Sequence, residues 1–253
     1  MKLIDTHTHI CDAVFDDDRT NVLERAREAG VRGVVAIGEN LSDARKNLML
    51  ADEHSLLLPG AGLYPTVLDL DQAAGICDFI RAESSRLACI GEVGLDFWKV
   101  REEDDQELQR EIFRRFIKLS SELDMPLNVH SRSAGRHAIA MLLGEGGKRV
   151  QLHAFDGKAS TALPAVEAGF YFSVPPSIVR SRQKQKLVRR LPVECMLVET
   201  DSPVLGPEAG QRNEPANVRI SLETIAEIKE IPLEAVAESL FENTERLYGR
   251  SLS

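Results

Sequence analysis

The chain has 253 residues, 43% of them hydrophobic and 28% charged, which suits one large globular unit or two small ones and excludes a disordered or fibrous protein. Its 40 acidic residues outnumber 31 basic ones, a formal charge of −9, so a general basic coat for wrapping nucleic acid is excluded and any contact with phosphates must be local. No apolar run approaches the roughly 20 residues needed to cross a bilayer, and Met1-Lys2 leads directly into the strand-like Leu3-Ile4, so no membrane partner is expected and the expected location is cytoplasmic.

Short apolar runs alternate with helix-like segments along the chain, the pattern of a parallel sheet with helical crossovers. The first run is Leu3-Ile4, and a helix is predicted after it. Asn21 with Glu24 three residues on reads as its start, Val22, Leu23, Ala26 and Ala29 as its apolar stripe, and Gly30 as its stop. Further runs follow at 33–37, 56–61, 87–90, 126–129, 150–152, 170–174 and 195–198. The acidic run Glu102 to Asp105 marks the N-terminus of the helix after the fourth run, where the helix dipole favours negative charge. The last helix begins near Pro232 and repeats Leu233, Val236, Ala237, Leu240, Phe241, Thr244, Leu247 and Tyr248 before Gly249.

Eight runs favour closure into a barrel over an open doubly wound sheet, which commonly has five or six strands. The expected fold is therefore α/β: a single (β/α)8 TIM barrel over 1–253, with its site at the C-terminal ends of the strands. Cys11, Cys77, Cys89 and Cys195 form no Cys-x-x-Cys pair and read as reduced, buried small hydrophobes.

Nearly every run ends in an ionisable or metal-binding residue on the side where barrel enzymes build their sites. Strand one ends in Asp5-Thr6-His7-Thr8-His9. Residues two apart on a strand share a face, so His7 and His9 can grip one ion, with Asp5 below them on that face. Strand four ends in Gly91-Glu92-Val93-Gly94-Leu95-Asp96, strand five in His130-Ser131-Arg132, strand six in His153 and strand eight in Glu199-Thr200-Asp201-Ser202-Pro203. Any one of these is compatible with a hydrogen-bonded rim residue or a turn. Yet four of the six histidines fall at strand ends, and only His54 and His137 sit in helix-like contexts. Asp96 is a candidate partner for a ligand imidazole, which usually donates its second N–H to a carboxylate. Glu199 should point away from the barrel interior if strand eight persists that far, and is left out of the ligand set.

These pieces together resemble the TatD-type metal-dependent hydrolases, a branch of the amidohydrolase superfamily that includes TatD deoxyribonucleases. The resemblance runs end to end, through Asp5-x-His7-x-His9, Gly91-Glu92-Val93-Gly94-Leu95-Asp96, Pro126-x-x-x-His130-x-Arg132, His153-Ala154-Phe155-Asp156-Gly157, Glu199-Thr200-Asp201-Ser202-Pro203 and Arg212-Asn213-Glu214-Pro215. It implies that His7, His9 and Asp201 hold one divalent ion, that His130 and His153 hold a second, and that Glu92 bridges both. One departure stands out: where the family's nucleases usually carry a histidine after strand three, this chain has Gly62-Leu63-Tyr64-Pro65, a phenol that cannot act as a cationic donor.

The reaction this implies is hydrolysis of phosphodiester bonds in DNA, in a single strand or at an end, by a metal-activated water, with Asp201 and Glu92 as catalytic carboxylates. The ions could be Mg, Mn, Zn or Fe. Tyr64, Arg132, Arg212 and Asn213 are the candidate substrate-binding residues, the two arginines either meeting phosphate oxygens or forming structural ion pairs. The basic stretch Arg180, Arg182, Lys184, Lys186, Arg189 and Arg190 either steers a nucleic-acid strand or is the solvated face of a helix, and Phe97 and Trp98 either stack on a base or pack in a loop. Two other readings compete. The same metals could serve an amide, ester or lactone of small size, or a degenerate barrel could bind nucleic acid without catalysis.

Overall fold

Eight parallel strands follow one another in sequence order around a nearly closed barrel in the computed structural model, which describes residues 1–249. The last four positions of the expected 1–253 domain lie outside the described residues. The strands are β1 Leu3–Thr8, β2 Val31–Ala36, β3 Leu57–Ala61, β4 Cys89–Gly94, β5 Leu127–His130, β6 Val150–Leu152, β7 Tyr171–Val174 and β8 Met196–Val198. Between and after them run α1 Arg19–Glu28, α2 Leu41–Glu53, α3 Leu70–Glu83, α4 Glu103–Leu123, α5 Gly135–Gly144, α6 Ala159–Glu167, α7 Arg182–Arg190, α8 Val218–Lys229 and α9 Leu233–Tyr248. The eight apolar runs thus became eight strands, with β1 and β4 extending further along the chain than their apolar cores, because polar ligand candidates continue the strand. None of the described helices is long and apolar enough to cross a membrane.

Strand alternation separates two apolar layers. Val34, Ile90, Val129, Met196 and Val198 pack outward with helix residues such as Phe113 and Phe116. Ile4, Val35, Cys89 and Leu197 form an inner cluster that Leu247 and Tyr248 of α9 join. On α4, Ile112, Phe113, Phe116, Ile117 and Ser120 are buried at three- and four-residue spacing, and each buried phenylalanine contributes about 1.5–3 kcal/mol. A polar layer lies against the inner cluster: the Tyr248 hydroxyl donates to Gln151 Oε1 at 2.8 Å, and the Gln151 amide donates to Thr6 O at 3.1 Å and to Ser173 Oγ at 2.9 Å.

The barrel closes at its C-terminal rim, where Asp201 N–H donates to His7 O and His9 N–H donates to Ser202 O, both at 2.8 Å. The seam between β1 and β8 is therefore made by the segments that carry the ligand candidates. Gly94 and Gly62 let neighbouring backbones press onto β4. Gly94 has φ +142°, and a Cβ there would lie 2.1 Å from His130 O; one on Gly62 would lie 2.4 Å from Glu92 O.

Three local expectations are corrected. The first helix starts at Arg19 with Asp18 before it, so Asn21 lies inside the helix; the apolar stripe begins at Val22, but the preceding turn is already helical. Pro232 is the residue that precedes α9, one position earlier than a first-turn proline. Asp5 does not lie beneath His7 on a shared face. The β1–β2 register shifts between Asp5 and Thr8, Thr6 turns to the inner polar layer, and the Asp5 carboxylate accepts from Thr200 N at 2.8 Å and Thr200 Oγ1 at 2.5 Å. Burial drives its pKa well above the usual carboxylate range, against the opposing effect of the Thr200 hydrogen bonds.

Candidate functional site

The residues at the strand ends converge. On one side, His7 Nε2 lies 3.3 Å from His9 Nε2 and 3.4 Å from Asp201 Oδ1, and His9 Nε2 lies 3.5 Å from the same oxygen. Donors about 2.0–2.1 Å from a tetrahedral ion stand about 3.3–3.4 Å apart, so this trio has the spacing of three ligands to one cation. Asp201 reaches it from a left-handed backbone conformation, φ +54°, which an aspartate tolerates better than most residues.

On the other side, Glu92 Oε1 is 2.6 Å from His130 Nδ1 and 2.8 Å from His153 Nε2, and those two nitrogens are 3.2 Å apart. The second oxygen, Oε2, turns the other way, 3.5 Å from His9 Nε2 and 4.0 Å from His7 Nε2. Each oxygen of one buried carboxylate thus faces a different donor group.

The charge states fit positive charge between these donors. Burial pushes the His9 and His130 imidazoles down, but Asp201 and Glu92 beside His9, and Glu92 and Asp96 beside His130, outweigh it and raise both to about 9. Burial pushes the Glu92 and Asp201 carboxyls up, but the surrounding imidazoles outweigh it and hold both below the carboxylate range. His7 goes the other way, down to about 3, through burial and then the nearby His153 ring. Four nitrogens and two carboxylates make a donor set suited to Zn, Mn or Fe, and less well to Mg.

Two neighbours set the ring orientations. His7 Nδ1 is 2.7 Å from Asn128 Oδ1, which directs Nε2 at Asp201. His130 Nε2 is 3.2 Å from Asp96 Oδ2, the role expected of Asp96, while Oδ1 accepts from Trp98 N and Lys99 N. Glu199 departs from expectation. Strand β8 ends at Val198, and Glu199 continues the inward direction of Leu197 two residues before. It is fully buried, accepts from Ala154 N at 2.8 Å and Ser173 Oγ at 2.5 Å, and lies 4.0 Å from His153 Nδ1, a buried nitrogen with no hydrogen-bond partner among the described residues. Burial raises its pKa to about 7.

A family profile described as TatD related DNase matches residues 4–249. The chain belongs to the TatD family. It is accordingly a metal-dependent hydrolase, the enzyme class that its motifs implied. Human deoxyribonuclease TATDN3 is 43% identical, the alignment covering 99% of this chain and 96% of that one. The metal-dependent hydrolase YabD of Bacillus subtilis is 31% identical over 97% of this chain and 98% of its own length. Among solved structures, the TatD homologue YJJV of Escherichia coli superposes with a TM-score of 0.89 at 26% identity, covering 98% of each chain.

In this TatD-family chain the ligand candidates open onto a cavity of about 860 Å³ lined by His9, Glu92, His130, His153 and Asp201. Tyr64 and Arg132 also line it. The Tyr64 ring stands 5.3 Å from the His130 ring, and burial pushes its phenol further above the ordinary range, so it is neutral. The Arg132 guanidinium stacks on the exposed Trp98 ring at 3.8 Å. Arg212 and Asn213 are otherwise engaged. Arg212 donates to both Asp18 oxygens, at 2.8 and 2.6 Å, and Asn213 is buried, its amide donating to Thr200 O and Val204 O at 2.8 Å each. The ion-pair reading thus describes Arg212, and Asn213 braces the loop that carries Asp201.

Of the basic stretch, Lys184 alone lines the cavity, its Nζ donating to Ala154 O at 3.0 Å; the rest is the face of α7 and its approach. Phe97 packs against His137, with ring centroids 5.1 Å apart. Sequence reasoning missed Glu39, which with His9 and Glu92 forms another group of close donors, and Asn128, whose only signal was a polar residue inside an apolar strand.

Proposed function

We propose that the chain hydrolyses phosphodiester bonds in DNA, on single strands or at ends, using two divalent ions held by His7, His9, Glu92, His130, His153 and Asp201. The observation that carries this reading is the division of Glu92, one oxygen toward His130 and His153 and the other toward His9 and His7. Bound there, such ions lower the pKa of water and neutralise charge on phosphoryl oxygens. Asp201, ionised near neutral pH and beside both His7 and His9, accepts the proton of the attacking water and returns it to the leaving oxygen. Arg132 offers a planar guanidinium to a phosphate. The name of the human relative, a deoxyribonuclease, supports DNA as the substrate.

Tyr64 favours a second reading, hydrolysis of a small ester, amide or lactone, because a neutral phenol at the cavity wall suits a carbonyl oxygen as well as a phosphate. One experiment separates the readings: labelled single-stranded DNA and a panel of lactones and esters, each with Mg²⁺ and Mn²⁺, for the wild type and Asp201→Asn. Cleavage of the DNA that Asp201→Asn abolishes is expected. Intact DNA beside rapid lactone cleavage overturns the DNA reading, and DNA binding with turnover indifferent to Asp201→Asn favours a noncatalytic binder.

A further inference from the structure

Four lysine and arginine side chains line the cavity: Lys46 pairs with Asp16 at 2.8 Å, and Lys184 donates to Ala154 O at 3.0 Å. Two exposed cations that line the same cavity differ. Among the described residues no carboxylate pairs with Lys99 or Arg132, and each instead rests on an aromatic ring: Lys99 Nζ lies 4.8 Å from the Tyr64 centroid and 3.3 Å from its hydroxyl, and Arg132 lies 3.8 Å from the Trp98 centroid. A ring holds a cation in position without cancelling its charge, and Lys99, which donates one N–H to the Tyr64 hydroxyl, has two more to offer. The two loops are joined, since Phe97 N–H donates to Arg132 O at 3.0 Å. The Lys99 loop is also pinned to the metal-ligand side, because Asp96, partner of His130, accepts from Lys99 N at 2.8 Å.

We infer that Lys99 and Arg132 form an anion subsite, each cation seated on its own aromatic ring, that grips a backbone phosphate of the substrate strand next to the one being cleaved. Lys99 is its new member. Tyr64 is then a positioning residue for that charge, and the cation that a phenol cannot supply comes from the lysine resting on it. The inference rests on the phosphodiesterase reading.

The test measures steady-state kinetics of the metal-loaded enzyme on a labelled single-stranded decanucleotide across a salt series, with bis(4-nitrophenyl) phosphate, which has no second phosphate, as a separate wild-type substrate. Lys99→Met should raise KM for the decanucleotide about tenfold, with a much smaller change in kcat, as loss of one charged hydrogen bond does. It should also flatten the slope of log kcat/KM against log salt by about 0.7, the value of one phosphate contact on a single strand. Lys99→Arg should restore most of the affinity, and Tyr64→Leu should reproduce the Lys99→Met defect without adding to it. Lys118→Met, an exposed lysine of α4 away from this cavity, should alter neither KM nor slope. A wild type that cleaves both substrates, with decanucleotide KM and salt slope unchanged in Lys99→Met, overturns the subsite alone. A wild type that cleaves neither overturns the phosphodiesterase reading and the subsite with it.

Discussion

Replacing Asp96 by Asn should weaken one ion and spare the other. The change is nearly isosteric, and the asparagine carbonyl oxygen can still accept from Trp98 N and Lys99 N, which bind Asp96 Oδ1 at 3.0 and 2.8 Å, so the loop keeps its shape. The atom facing His130 Nε2 at 3.2 Å becomes an amide nitrogen, however, and an acceptor that oriented the ring and raised its basicity becomes a donor. Loss of such a partner costs about 10–100-fold in metal affinity, or about 1.4–2.7 kcal/mol. His7, His9 and Asp201 have no hydrogen bond or ion pair with Asp96 among the described residues, so the ion they hold should bind as before. Calorimetric titration of metal-free protein with Mn²⁺ should therefore show two steps, with one moved by that amount. Equal weakening of both steps, or of neither, would contradict a role for Asp96 confined to the ion beside His130.

On the other side, Asn128→Leu is the complementary variant and should weaken the His7–His9–Asp201 ion by about 10–100-fold. It also leaves the His7 Nδ1–H buried without a partner, a loss of about 1–3 kcal/mol that thermal unfolding of metal-free protein can check. Metal affinity should rise with pH. With His9 and His130 raised from 6.5 to about 9, each is protonated at neutral pH, so an ion must displace protons, and affinity should climb up to pH 9 and then level off. Titrations in buffers of different ionisation heat count those protons, and a pH-independent affinity contradicts the assignment. The linked stability has the opposite sign: a raised folded-state pKa gives stability that is complete below about pH 6.5 and lost as pH rises through 9, so the melting temperature of EDTA-treated protein should fall over that window. Gly94→Ala forces a Cβ against His130 O at 2.1 Å from a φ of +142°, and should cost about 3 kcal/mol or more, a drop of about 6–12 °C in Tm.

The barrel and its ligand candidates were legible because each ligand is an ionisable side chain at the end of an apolar run, and few other residues of those types occupy such positions. Asn128 was hidden because its place depends on the neighbouring strands: only the barrel's register brings a β5 amide under a β1 imidazole. Asp5 misled because a register shift in β1 breaks the two-residue alternation, and nothing in Asp5-Thr6-His7 announces it. Glu199 was misassigned for want of the end of β8, and Arg212 resolves into an ion pair only once α1 begins at Arg19, with Asp18 ahead of it. Lys99 carries no motif at all. It is set apart by the ring beneath it and, among the described residues, by the absence of a pairing carboxylate, both properties of three-dimensional arrangement.

Whether one carboxylate serves two cations is decided by anomalous diffraction from crystals grown with Mn²⁺. Two peaks about 3.5–4 Å apart are predicted, with Glu92 Oε1 on the peak nearer His130 and His153 and Oε2 on the peak nearer His7 and His9. A single peak, or a Glu92 with both oxygens on the same ion, would contradict a bridging role.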